Sequence, residues 1–101
     1  MSTVKTQPFD PAAYLDSSDA LAAYMSEALA TDDPAFIADA LGIVARARGM
    51  SEVARLSGLS RESLYRALSP EGNPEFATIL RVVRAMGLRL STTPIDERKI
   101  A

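Results

Sequence analysis

Apolar side chains recur along this chain at intervals of three and four residues, the spacing that lines one face of a helix. Leu21, Tyr24, Met25, Ala28 and Leu29 form a first stripe, and Phe36, Ile37, Ala40, Leu41, Val44 and Ala45 a second. Two shorter patterns follow between residues 50 and 69. The first turns Val53, Ala54 and Leu56 inward, and the second Leu64, Ala67 and Leu68. A fifth pattern carries Phe76, Ile79, Leu80, Val83 and Met86. The period then changes. Leu88 and Leu90 alternate with Arg89 and Ser91 as in a half-buried strand, which Pro94 closes. The expected fold is therefore mainly all-α: five helices with a short N-terminal arm and a short C-terminal β-strand.

The punctuation between the stripes agrees with them. Ser17-Ser18 is placed to cap the first helix, which runs to about Ala30. Asp33 caps the second, Pro34 opens it and Gly49 stops it. Asn73-Pro74 and Gly87 bracket the last in the same way. Arg46 and Arg48 fall in the last turn of the second helix, where a cation favours the helix dipole. These signals divide the chain into an arm (residues 1–16), a helical domain (17–94) and a tail (95–101). In the arm, residues 4–7 suit an extended segment and Asp10-Pro11 a short turn. Phe9, Tyr14 and Leu15 are apolar enough to pin it to the domain or to a partner. A lone strand leaves its backbone groups unpaired. The stretch near Leu88 thus calls for a mate: the arm, the same strand of a second copy, or another protein.

The stretch with the most chemistry is MSEVARLSGLSRESLYRALS, residues 50–69. Gly58 can take a positive φ where its two helices meet. Leu59 can fill the space between them, Ser60 can cap the second, and Ala54 is small where they approach. This is a helix-turn-helix reading. It leaves Arg61, Glu62, Ser63, Tyr65, Arg66 and Ser69 on the outward face of the second helix. A short rod with a basic, hydrogen-bonding face fits the DNA major groove, and its first residues reach base edges.

The formal net charge of −2 argues against a nucleic-acid partner, but the distribution reverses that. Residues 1–45 hold one Lys and seven acidic residues; residues 46–90 hold eight Arg and four Glu. The positive half is the half with the helix-turn-helix. All its cations are arginine, which grips phosphate or guanine bidentately. The acidic half, with Asp10, Asp16, Asp19, Glu27, Asp32, Asp33 and Asp39, suits a basic protein partner, although several of these also stand at helix starts as caps. The chain has no cysteine and no histidine, so no disulfide, thiolate or imidazole metal site is expected, and no cofactor. The glycines at 42, 49, 58, 72 and 87 are scattered at helix ends and make no phosphate loop. Carboxylate pairs such as Glu52 with Glu62, or Asp32 with Asp33, lack a partner nucleophile, so an enzyme is not expected and no catalytic residue is assigned. No stretch resembles a signal peptide or a membrane span, which makes the cytoplasm the expected location.

Taken together, PFDPAAYL, the run ARARGMSEVARLSGLSRESLYRAL and the following GNPEFATIL resemble the HigA-like addiction-module antidote proteins, antitoxins with a Cro/phage-repressor type helix-turn-helix. The resemblance covers roughly residues 5–91. It implies a two-gene, type II toxin–antitoxin module whose other product is a small basic toxin of the RelE/HigB type, an mRNA-cleaving ribonuclease. The antitoxin neutralises that toxin, and it or the complex represses the shared operon. By motif position, operator DNA contact falls on Ser60, Arg61, Glu62, Ser63, Tyr65 and Arg66. A homodimer would set two such helices about one DNA turn apart, roughly 34–36 Å. The alternatives are a stand-alone phage-type transcriptional repressor without a toxin, and an interaction module that does not bind DNA.

Overall fold

The computed structural model describes residues 17–96. Five helices follow one another: α1 (Ser18–Leu29), α2 (Pro34–Arg48), α3 (Met50–Ser57), α4 (Arg61–Ala67) and α5 (Phe76–Ala85). The expected arm lies outside the described residues, as does most of the tail. Among the described residues no helix is long and apolar enough to cross a membrane.

Local chemistry sets the first two boundaries. Ser17 is extended and its Oγ accepts the Ala20 N–H at 3.1 Å. Asp33 Oδ1 accepts from the N–H groups of Ala35 and Phe36, at 3.1 and 3.3 Å, with Pro34 as first helical residue. These bonds satisfy donors that a helix start leaves unpaired. Gly49, at φ 110°, ends α2 and also begins α3, so no spacer separates the two helices.

The core is built around α2 and α3. Helix α2 packs on α1, α3 and α4, and α3 also packs on α5. Leu41, Val44, Val53, Leu64, Val82 and Met86 are its largest fully buried side chains. Gly42 lies in the middle of α2, not at a helix end. A Cβ there would stand 2.7 Å from the Leu68 carbonyl oxygen, so the absent side chain lets the end of α4 close onto α2.

Several inward assignments are corrected. Met50, Val53, Ala54 and Ser57 form the buried stripe of α3, a run at i, i+3, i+4 and i+7. Leu56 falls outside it and is 47% exposed. On α5 the buried face is rotated toward Val82, Val83, Ala85 and Met86, which leaves Phe76 65% exposed and Leu80 on the surface. Phe36 and Leu29 are also surface residues. Asn73 does not cap α5. It takes a positive φ of 45°, and the helix begins two residues beyond Pro74 with Glu75 as an N-cap that makes no side-chain bond.

The expected C-terminal β-strand is not formed among the described residues. Helix α5 instead closes in a paired C-terminal turn. The Leu88 N–H bonds the Val83 carbonyl at 3.1 Å and the Gly87 N–H bonds that of Arg84 at 2.9 Å, with Gly87 at φ 77°. The turn drapes Leu88 and Leu90 on the core as half-buried residues. Two leucines pinned one residue apart produce the same alternation as a strand, without a partner chain.

Candidate nucleic-acid interface on α4

Helices α3 and α4 are joined by Gly58, Leu59 and Ser60. Gly58 adopts φ 79°, ψ 12°, and its N–H closes α3 on the Ala54 carbonyl at 3.0 Å. An L-residue is disfavoured in that left-handed region. The buried Ser57 hydroxyl donates to the Ala54 carbonyl and accepts the Leu59 N–H, both at 3.3 Å, which stitches the turn to the helix before it. Leu59 packs against the core. Leu64, fully buried, and Leu68 anchor α4 from beneath.

With those two leucines down, the opposite side of α4 is open. Ser60, Arg61, Glu62, Tyr65 and Arg66 are all exposed, and Ser63 is half-buried. Ser60 Oγ accepts the Ser63 N–H at 3.0 Å and donates to Ser63 Oγ at 2.9 Å. These two hydroxyls therefore fix the start of the helix as well as facing outward. Arg61 reaches along one turn to Tyr65. A terminal guanidinium nitrogen lies 3.4 Å from the phenol oxygen, and the guanidinium carbon lies 5.9 Å from the ring centroid. That is at the outer range of a cation–π contact. It holds Arg61 extended along the face without neutralising it. Arg66 makes no ion pair among the described residues. The half-buried Ser69 donates to the Arg66 carbonyl at 3.1 Å, which leaves it a cap more than a contact.

The neighbouring arginines differ in how they are bonded. The Arg55 guanidinium grips both Glu52 oxygens one turn away on α3. That hydrogen bond holds the Glu52 carboxyl below its ordinary range. Arg55 thus enters any contact already paired. Arg46 and Arg48 are exposed in the last turn of α2, next to the start of α3.

The structure thus defines a class: a small helical protein whose fourth helix, short and firmly seated, turns a basic polar face to solvent. Residues 5–94 match the family described as "Probable addiction module antidote protein". An uncharacterized protein of Haemophilus influenzae is 46% identical over 87 residues, which span 86% of this chain and 90% of that relative. No solved structure matches. The chain belongs to the probable addiction-module antidote family.

Proposed function

We propose that this protein is the antitoxin of a type II module. It neutralises a small basic RelE/HigB-type ribonuclease and represses its own operon by laying α4, the second helix of a helix-turn-helix, in the operator major groove. Family membership supports the toxin-neutralising half. The observation that carries the DNA-binding half is the α4 face, where Arg61, Tyr65 and Arg66 are exposed on a helix with a capped start and a buried underside. An arginine in that position can read guanine through two parallel bonds, a serine hydroxyl can bond phosphate, and a glutamate can accept from cytosine. Two copies are needed to read a palindromic operator.

The test is a mobility shift with the chain's own promoter DNA across a salt series. Binding should weaken linearly in log–log form as salt rises. Arg61→Ala and Arg66→Ala should each lose roughly 1–3 kcal/mol with relaxed specificity where the arginine reads a base. Where it contacts phosphate, the salt slope should fall by about one. Full binding by both variants defeats the assignment. For the other half, the adjoining reading frame should arrest growth when expressed alone and be silenced by co-expression of this chain. Repression with no toxic neighbour would instead identify a stand-alone repressor.

A further inference from the structure

An apolar groove of about 390 Å³ opens between α1, α2 and the start of α5. Leu29, Pro34, Ile37, Pro74, Phe76 and Ile79 contribute to its walls, and no lining residue is charged or drawn from α3 or α4. It therefore shares no residue with the proposed DNA-binding face. Leu29 and Phe76 remain exposed at it, and with the apolar walls they make one contiguous apolar patch rather than single scattered residues.

The two loops that adjoin the groove's lining residues in the chain are both acidic. The turn before Pro34 carries Asp32 and Asp33, and the segment from Pro70 to Phe76 carries Glu71 and Glu75; neither loop holds a basic residue. Asp33 is engaged as the α2 cap. Asp32, Glu71 and Glu75 are exposed and make no ion pair among the described residues. Arg89 lies on a smaller cleft alongside.

We propose that this groove is where the toxin docks, an inference that rests on the toxin-neutralising reading above. The occupant is a basic protein that inserts apolar side chains between Phe76 and Leu29 while its lysines and arginines meet Asp32, Glu71 and Glu75. A ribonuclease must present cations to hold a polyanion. An acidic rim pairs with that surface and competes with RNA for it. Charge also weighs against two other occupants, a second copy and residues 1–16. A two-fold contact between copies would set the same carboxylates against themselves. The chain's own residues 1–16 bring Phe9, Tyr14 and Leu15, but only Lys5 against Asp10 and Asp16. Because α4 lies on other elements, one chain can hold toxin and DNA together.

The test replaces Phe76 with a photo-cross-linking phenylalanine derivative in the full chain, co-expressed with the product of the adjoining reading frame. Cross-linking to that product supports the proposal. Cross-linking to residues 1–16 or 97–101 of the same chain, or to a second copy, overturns it, as does co-purification of the product with no cross-link. Failure of the wild-type chain to co-purify with or silence the product sinks the antitoxin reading itself, and the proposal with it. In parallel, Phe76→Ser and the double variant Glu71→Lys, Glu75→Lys should each weaken the complex by about tenfold or more while promoter binding is unchanged. Equal affinity in both variants refutes the proposal. All these positions are exposed, so melting curves close to wild type are expected and confirm that the fold survives.

Discussion

Replacing Gly58 isolates one physical cost. A Cβ added at Gly42 or Gly72 would collide with backbone atoms, but one added at Gly58 meets nothing within 4 Å. Only the backbone objects, because φ is +79°. A left-handed alanine is disfavoured by about 1–2 kcal/mol. Restricting the unfolded chain returns about 0.4–1 kcal/mol. The net loss for Gly58→Ala is therefore about 1 kcal/mol, which in a domain of this size lowers Tm by about 4–8 °C. Asparagine tolerates the left-handed region and should lose less. Valine, branched at Cβ, should lose more than alanine. Thermal unfolding followed by circular dichroism should rank the series Gly, Asn, Ala, Val from most to least stable. Alanine and valine variants that melt with the wild type would show that the chain does not turn left-handed at 58. A valine variant that outlasts asparagine would show that something other than backbone strain sets the order.

Leu64→Ala removes a fully buried anchor of α4 and should cost about 2–5 kcal/mol in chemical denaturation. Ser60→Ala deletes the α4 cap and should cost about 1 kcal/mol by the same measurement, whereas Ser60→Asp should retain most of it. Gly42→Ala should destabilise through collision with the Leu68 carbonyl despite favouring the α-helix intrinsically, so a raised Tm would contradict the close packing of α2 on α4. Leu56→Ser, at an exposed site, should stay within about 0.5 kcal/mol of wild type.

What could be read from the residues follows from how local each signal is. Ser17, Asp33-Pro34, Gly58 and Ser60 act within four residues of themselves, and each does in the fold what its chemistry suggests. The underside of α4 was equally legible, since Leu64 and Leu68 are one turn apart. Periodicity fixes a stripe's direction only to within a side chain's width, so residues on its flank go astray. Leu56, Phe36, Leu80 and Phe76 are such flanking residues, all on the surface. The leucines at 88 and 90 misled for another reason. Alternation is evidence for a strand only if a neighbouring backbone exists to pair with, and sequence period carries no information about neighbours. The mutual bond of Ser60 and Ser63 and the groove beside Phe76 depend on side chains that converge only in three dimensions.

The shared residue at position 49 has a mechanical consequence. Two helices joined through one glycine have no slack between them, and α4 is clamped in turn by Leu64, Leu68 and the carbonyl that rests on Gly42. The arginine-bearing rod is thus cantilevered stiffly from the body of the molecule. In the proposed operator-binding role the duplex, not the rod, would do the bending, and steps that flex easily would accept it at lower elastic cost than rigid ones.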